Sequence, residues 1–263
     1  MNSPHHHNNW LLHNKKNLVR QNIDMEGVNH VVALAGNPNT GKSTVFNSLT
    51  GLRQHTGNWP GKTVTRAEGS FSYKGKRYKV VDLPGTYSLL SNSTDEEIAR
   101  NFILFGQPEV TVVITDATRL KRNLNLVLQI LEITDRSILC INMIDEAHRN
   151  GIEIDESSLS KELGIPVIPT IARQKKGITE LIMAIENISS GNYICKPHRI
   201  ISHSPRLNHA ISTIAEKLAE QFPNLPNLNW VALRLLEGDQ SIIEAVRTGA
   251  LGQLSSDKQS VQT

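Results

Sequence analysis

The sequence predicts an α/β fold with a mostly parallel sheet, followed by a smaller all-helical region. From His30 onward, short runs rich in β-branched residues alternate with stretches whose apolar residues recur at helical spacing. A glycine-rich turn separates the first such run from the first helical stretch, which is typical of a parallel sheet with crossover helices. The 263 residues, of which 38% are hydrophobic, suffice for one well-cored domain and a smaller second one.

Each predicted strand rests on a run of β-branched residues, and each predicted helix rests on apolar residues at helical spacing. A hairpin turn at Lys74-Gly75-Lys76 joins the second and third predicted strands. The predicted strands cover residues 31–35, 70–73, 78–83, 110–115, 137–142 and 167–171. The predicted helices cover residues 42–49, 95–105, 123–133, 156–163 and 178–188.

The composition changes twice along the chain, near its start and after the last predicted helix of the α/β part. The start is rich in Asn and His, and we interpret it as a tag remnant or disordered leader rather than a metal site built on His5, His6 and His7. Apolar residues return at helical spacing in 206–221 and 241–248. The predicted regions are a leader at 1–29, an α/β domain at 30–191, a helical subdomain at 192–252 and a polar tail at 253–263.

The overall composition excludes several classes of protein. The 28 Lys and Arg against 25 Asp and Glu give a formal charge of +3, which requires neither nucleic acid nor an anionic membrane as partner. Cys140 and Cys195 match no disulfide framework or metal-ligand spacing, which favours a reducing cytosol. No apolar stretch approaches the ~18 residues of a membrane-spanning helix, so we expect these residues to be soluble.

The strongest functional signal is a loop that satisfies G-x-x-x-x-G-K-[ST] between a predicted strand and a predicted helix. Its backbone N–H groups can turn toward an anionic phosphate, and the helix N-terminus adds a favourable dipole. An ordinary glycine turn is the alternative, which the flanking elements disfavour. We expect Lys42 to contact the outer phosphates and the Ser43 hydroxyl to ligate Mg²⁺. The predicted binding residues here are Gly36, Asn37, Pro38, Asn39, Thr40, Gly41, Lys42, Ser43 and Thr44.

Two further motifs end later strands. Asp82-Leu-Pro-Gly85 places a carboxylate where it can hold Mg²⁺ through water and an N–H where it can approach a γ-phosphate, although alone it also fits an ordinary turn. Asn142-Met143-Ile-Asp145 selects the base, because a carboxylate accepts hydrogen bonds from N1–H and N2–H₂ of guanine, whereas adenine offers no donors there. A strand-end cap is the alternative for this second motif. Together the motifs predict GTP or GDP as ligand.

Residues 57–65 carry two glycines and a proline, and we interpret them as a mobile first switch. Either Thr63 or Thr65 should supply a second hydroxyl for Mg²⁺, and Gly61 belongs to the predicted nucleotide-binding set. For Trp59 we favour a packing role over an exposed contact.

Thr86 follows Gly85, where many GTPases place the glutamine that orients the attacking water. Threonine substitutes poorly for a carboxamide, so backbone groups of a switch or an external residue should position the water. The sequence therefore predicts slow intrinsic turnover.

Four runs together resemble the N-terminal G domain of the ferrous iron transport protein B family. They read Gly-Asn-Pro-Asn-Thr-Gly-Lys-Ser, Gly-Asn-Trp-Pro-Gly-Lys-Thr-Val, Asp-Leu-Pro-Gly-Thr-Tyr-Ser-Leu and Asn-Met-Ile-Asp-Glu-Ala. The likeness extends over residues 31–191, and the helical remainder resembles the guanine-nucleotide-dissociation-inhibitor-like subdomain of that family. It implies a Ras-like P-loop GTPase with a six-stranded, mostly parallel sheet, a first switch near 53–68 and a second near 84–94.

The resemblance also assigns site residues. It implies Thr63 as the switch ligand of Mg²⁺, and a role for Asn39 in holding K⁺ beside the phosphates in place of an arginine finger. An asparagine chosen for a left-handed turn is the alternative. Met143 stands where the common signature has lysine, as it does in that family, and a backbone N–H near Ala172 would contact guanine O6. The expected catalytic set is Asn39, Lys42, Thr63 and Gly85, with Ser43, Thr63 and Asp82 for Mg²⁺ and Asn39 for K⁺.

The same resemblance implies partners and a location. The expected partners are a guanine nucleotide and a membrane-spanning transporter region in the same polypeptide, with a second copy of the chain as an open alternative and no nucleic acid. Nucleotide state would be coupled to Fe²⁺ uptake at the cytoplasmic face of a bacterial inner membrane. Two other functions stay open: a potassium-activated GTPase of RNA or ribosome maturation, and a nucleotide-binding regulator without meaningful turnover. Against the first, residues 206–252 show neither a G-x-x-G element nor a basic face.

Overall fold

A single sheet organises the first two thirds of the chain. The computed structural model describes residues 18, 23–51, 54–90, 93–199, 204–223, 225–249 and 251. Within these ranges the sheet has seven strands in the order β2-β3-β4-β1-β5-β6-β7. Most of the predicted leader, including His5, His6 and His7, and the whole predicted tail at 253–263 lie outside the described residues.

The sheet is mostly parallel, as predicted. β1 pairs in parallel with β4 and β5, and β6 continues the parallel pairing to β7, while β2, β3 and β4 form an antiparallel edge. The strands are β1 His30–Gly36, β2 Gln54–Asn58, β3 Thr65–Tyr73, β4 Lys76–Asp82, β5 Val110–Asp116, β6 Ser137–Asn142 and β7 Val167–Pro169.

The predicted count of six strands is wrong. The additional strand is β2, whose residues Gln-His-Thr-Gly-Asn carry no alternating apolar pattern. It forms through backbone pairing with β3, from Gln54 opposite Gly69 to Asn58 opposite Thr65. The same pairing lengthens the predicted strand 70–73 to Thr65–Tyr73. Much of the predicted first switch is therefore built into a hairpin instead of a loop.

Nine α-helices surround the sheet and form the C-terminal region in the part of the chain that the structure describes. They are α1 Lys42–Thr50, α2 Thr94–Asn101, α3 Leu120–Ile133, α4 Ile144–Arg149, α5 Glu156–Leu163, α6 Ile178–Ser189, α7 Pro205–Gln221, α8 Leu228–Leu236 and α9 Gln240–Arg247. A π-helical turn, Phe102–Gly106, continues α2, so the predicted helix 95–105 changes its hydrogen-bond period midway.

The core lies on both faces of the central strands. Every residue of β1, β5 and β6 is buried, as expected for parallel strands covered by helices on two sides. Strand β3, beside the edge strand β2, is less covered and mixes buried, partly buried and exposed positions. The predicted hairpin is present and turns on Lys74 and Gly75, both with positive φ (46° and 73°), while Lys76, predicted within the turn, is the first residue of β4.

The helical region is joined to the α/β part by a buried ion pair. Arg100 at the end of α2 is only 1% exposed and its Nη1 lies 3.0 Å from Asp239 Oδ2. Its Nη2 donates to Ser241 Oγ at 2.7 Å. Asp239 also accepts from the backbone N–H groups of Ser241 and Ile242 at the start of α9. One aspartate thus caps a helix of the C-terminal region and neutralises an arginine of the α/β part.

Sequence periodicity missed two helices. Helix α4 has only six residues, and α8 is apolar on nearly all sides, so neither shows a clear amphipathic stripe. Among the described residues, no helix combines the length and hydropathy needed to cross a membrane.

Candidate nucleotide-binding site

Three loops meet at one edge of the sheet. The first follows β1 at Gly36, the second follows β4 at Asp82, and the third follows β6 at Asn142. These strands run parallel, so their carboxyl ends share one edge. This is where doubly wound sheets bind ligands.

The first loop is shaped by two glycines. A Cβ on Gly36 would come within 2.5 Å of the Ile114 carbonyl oxygen, and Gly41 has a φ of 79°, so side chains are excluded at both positions. The Thr40 hydroxyl closes the loop by donating to the Asn37 carbonyl oxygen at 2.9 Å. Because Gly41 is the N-cap of α1 and lacks a side chain, it cannot satisfy the first N–H groups of that helix. The loop therefore has the form of an anion site.

Asn37 and Asn39 differ in environment. Asn37 is 3% exposed, and its Oδ1 has no hydrogen-bond partner among the described residues. Asn39 is exposed and adopts the left-handed conformation with φ 66°. The left-handed turn considered for Asn39 is thus present, and Asn39 also faces outward beside Pro38 and Thr40 at the mouth of the loop.

Lys42 and Asp82 form an ion pair across the phosphate side of the site. Lys42 Nζ donates to Asp82 Oδ1, and the two side chains are 12% and 16% exposed. Burial raises the pKa of the Asp82 carboxyl above its ordinary value, and the charge and hydrogen bond of Lys42 offset part of that rise. Ser43 and Thr44 follow in the first turn of α1 and are exposed. Carboxylate and hydroxyl oxygens, the ligands that Mg²⁺ prefers, therefore lie beside the loop.

The second loop contacts the first. A Cβ on Gly85 would lie 3.5 Å from atoms of Pro38, and the Thr86 N–H donates to the Gly36 carbonyl oxygen at 3.2 Å. The Thr86 side chain is 3% exposed and is used locally, since its hydroxyl donates to the Ser88 carbonyl and accepts from the Ser88 N–H. It is directed into a turn and away from the loop mouth.

Asn142 links the base motif to the phosphate loop. Its Nδ2 donates to the Thr40 carbonyl oxygen at 3.1 Å, and its Oδ1 accepts from the Ala172 N–H at 3.0 Å. Met143 supplies the turn into α4 with φ 64°. The Ala172 N–H, expected near guanine O6, is therefore bonded to Asn142. The following residue, Arg173, presents the next N–H of this loop.

Asp145 lies in the first turn of α4, and its carboxylate already has a partner. Arg173 Nη2 contacts Asp145 Oδ2. Although partial desolvation raises the pKa of the Asp145 carboxyl, the Arg173 hydrogen bond and the charges of Arg173 and Arg149 outweigh it and hold the pKa below its usual range. The carboxylate is thus ionised at neutral pH and available as an acceptor.

The first-switch residues lie on the hairpin. Gly61 and Thr63 are exposed between β2 and β3, outside the strand pairing, whereas Thr65 is paired with Asn58. Trp59 is 4% exposed and packs edge-on against Phe102 at 5.5 Å between ring centroids. The predicted packing role of Trp59 is confirmed. Arg53, at the start of the predicted first switch, and residues 91–92, in the predicted second switch, lie outside the described residues.

Sequence reasoning did not single out the arginines around the site. A cleft of about 20 Å³ adjoins the phosphate loop and is lined by Asn39, Tyr87, Arg119 and Arg122. The Arg122 guanidinium lies 4.8 Å from the centroid of the Tyr87 ring. The signal that could have found them is the basic run Arg-Leu-Lys-Arg at 119–122, which begins three residues after the end of β5, the strand beside β1.

Two family models match the chain. The model for ferrous iron transport protein B covers residues 30–185, and the model for the FeoB cytosolic helical domain covers residues 203–262. The Fe(2+) transporter FeoB of Escherichia coli K12 is 42% identical over 212 residues, which are 79% of this chain and 27% of the relative. The FeoB of Salmonella typhimurium is 39% identical over the same length. The chain spans about a quarter of the length of these relatives.

Solved structures agree with this likeness. The cytosolic domain of FeoB from L. pneumophila superposes with a TM-score of 0.75 at 34% identity, covering 87% of this chain and 90% of that one. The G domain of the T. maritima FeoB iron transporter superposes with a TM-score of 0.58 at 44% identity, covering 61% and 98%. The similarity therefore includes both the α/β part and the helical region.

Proposed function

Because this chain belongs to the ferrous iron transport protein B family, whose G domain is a GTPase, we propose that its site binds GTP with Mg²⁺, hydrolyses it slowly, and controls Fe²⁺ passage through a membrane part of the same transporter. The observation that carries the proposal is the bond from Asn142 to the Thr40 carbonyl. It joins the loop suited to phosphates and the loop suited to guanine into one site.

Each side of the site has a role in nucleotide binding. The N–H groups of the loop from Gly36 to Gly41 and the Lys42 ammonium hold the phosphates, and Asp145 accepts from the guanine edge. Gly85 donates its N–H toward the terminal phosphate. A backbone N–H near Ala172 would donate a hydrogen bond to guanine O6.

Ser43, Thr63 and Asp82 would hold Mg²⁺. All three offer hard oxygen donors, and the Asp82 carboxylate already faces one cation, the Lys42 ammonium. Thr63 is favoured over Thr65 because it lies outside the strand pairing and is free to approach. The bound ion supplies neutralisation of charge that develops on the phosphates.

Asn39 would hold K⁺, with its side chain exposed at the loop mouth. The ion supplies positive charge beside the β- and γ-phosphates, the function of an arginine finger. Neither Thr86 nor a glutamine positions water, so slow turnover follows. Single-turnover hydrolysis with matched K⁺ and Na⁺ buffers tests this part. Equal rates contradict it, and no turnover in either buffer favours a binding regulator.

The base assignment has its own experiment. Asp145→Asn replaces an acceptor by a donor, so GDP binding should weaken about 100-fold while XDP, with a carbonyl in place of the 2-amino group, gains affinity. Binding of fluorescent GDP, XDP and ADP by equilibrium titration gives the comparison. Glu153→Gln, an exposed change beyond α4, is the matched control. Unchanged GDP affinity in the Asp145 variant contradicts the assignment.

The transport role concerns the full-length protein. Uptake of radiolabelled Fe²⁺ by cells that carry the full-length transporter should fall to background when Lys42 is replaced by Ala, provided that membrane levels match those of the unchanged protein. Undiminished uptake would separate iron passage from the nucleotide site.

A further inference from the structure

The carboxylate that should read the base is already in contact with an arginine of the same chain. Arg173 Nη2 contacts Asp145 Oδ2, and Arg173 Nη1 lies 3.7 Å from Glu146 Oε1. Arg149 approaches the same Asp145 oxygen at 3.6 Å, beyond hydrogen-bond range. Arg173 is thus the close partner of this carboxylate, and Arg149 contributes only its charge.

The backbone that carries Arg173 is fixed. Ala172, one residue earlier, donates its N–H to Asn142 Oδ1 and accepts from Ser48 Oγ, both at 3.0 Å. Ala172 is 2% exposed, whereas the Arg173 side chain is 53% exposed. The arginine can therefore leave Asp145 by side-chain rotation alone, without movement of the loop.

The guanidinium has the same donor pattern as guanine. The N1–H and N2–H₂ groups of guanine are two nitrogens on one carbon, and the arginine head group presents N–H donors in the same arrangement. Both suit a carboxylate. The contact on Asp145 Oδ2 places the arginine where one of the two guanine donors would have to bind.

We propose that Arg173 is an intramolecular competitor for the guanine edge: it occupies Asp145 in the nucleotide-free protein and must leave before the base is fully bound. This inference rests on the proposed binding of guanine by Asp145. Arg173 then lowers the affinity for GDP and GTP by the same factor, since it acts on the base and is remote from the phosphates.

The expected gain in nucleotide affinity depends on how exposed the Arg173 side chain is. An ion pair with one partner more than half exposed is weakly held, because water screens the charges and the long side chain loses entropy. Removing the competitor should tighten binding by about two- to fivefold. The gain should shrink at high ionic strength, which weakens the pair in the unchanged protein.

Stopped-flow binding of fluorescent GDP to the full chain tests the proposal with Arg173→Ala and the control Lys176→Ala. Lys176 is an exposed cation in the same loop, and among the described residues it forms no ion pair with Asp145, so its removal reproduces the loss of charge alone. We expect Arg173→Ala to raise affinity by about two- to fivefold at about 50 mM salt, and Lys176→Ala to leave it within about 1.5-fold. The hydrolysis rate at saturating GTP should stay the same in Lys176→Ala.

Three results would overturn the proposal. Weaker binding by Arg173→Ala would show that the arginine contacts bound nucleotide, and equal binding would show that it does not compete. An equal gain from Lys176→Ala would reduce the effect to general charge. If the unchanged chain binds no guanine nucleotide, the base assignment itself fails, which is a different result from guanine binding that is indifferent to Arg173.

Discussion

The phosphate side and the base side of the site are each neutralised by an ion pair, but the two pairs lie in different surroundings. Lys42 and Asp82 are 12% and 16% exposed, whereas Arg173 is 53% exposed against Asp145 at 18%. The buried pair is poorly screened, so its loss leaves a charge that water cannot solvate. The exposed pair can open at little cost. The ion pair on the phosphate side is therefore the more strongly held, and the ion pair on the base side opens more easily.

The largest effect should come from breaking the buried pair. Lys42→Ala removes the cation of the phosphate side and leaves the Asp82 carboxylate buried without it, so single-turnover GTP hydrolysis should fall at least about 100-fold. Lys76→Ala is the matched control, because Lys76 pairs with Glu186 at the end of β4 away from Asp82, and it should change the rate by less than about twofold. Similar losses in both variants would contradict the distinction between the pairs.

A smaller effect should follow from separating the two sides. Gly41→Ala forces a non-glycine residue to φ 79° and puts a Cβ 2.3 Å from Asn142 Nδ2, so the bond from Asn142 to Thr40 must break. The left-handed conformation alone costs about 1–2 kcal/mol. We expect GDP affinity to fall about tenfold and the melting temperature by about 2–6 °C. Gly75→Ala, at an open position in the hairpin turn with a similar φ of 73°, controls for backbone strain.

Salt should act on the base side more than on the phosphate side. Between about 0.05 and 0.5 M salt, the ratio of GDP affinities of Arg173→Ala and the unchanged chain should move toward one, since the exposed pair is screened. The ratio for Asp82→Asn should stay nearly constant over the same range because that carboxylate is buried. Parallel titrations of both variants measure the difference. A constant ratio for Arg173→Ala would contradict the exposure argument.

The smallest effect is expected at Thr86. Its hydroxyl is used by Ser88, so Thr86→Ala should leave single-turnover hydrolysis within about threefold. A hundredfold loss would mean that this hydroxyl positions the attacking water. Ser88→Ala, which removes the neighbouring hydroxyl, is the comparison variant.

The phosphate side was more predictable from sequence than the base side. On the phosphate side, one short motif contains Gly36, Gly41 and Lys42, and a second begins at Asp82. Because each motif follows a predicted strand, the sequence indicated that the two lie close together at one edge of the sheet. The contact between Asp145 and Arg173 joins residues 28 positions apart through side-chain rotamers, which no motif encodes. Their roles toward a nucleotide stay predictions on both sides.

The fold shows the same division. β6 was predicted with its observed bounds because a buried parallel strand is continuously apolar. β2 was missed because edge pairing requires only backbone groups, and α8 was missed because its apolar residues point in every direction. The asparagine at position 39 satisfies both a turn preference and the proposed K⁺ role, so its residue type alone could not separate them.

The buried pair of Arg100 and Asp239 has a consequence for unfolding. Pulling the helical region away would separate the Arg100 guanidinium from the Asp239 carboxylate and would also break its hydrogen bond to Ser241 Oγ. The helical region and the sheet should therefore unfold together in a single cooperative thermal transition.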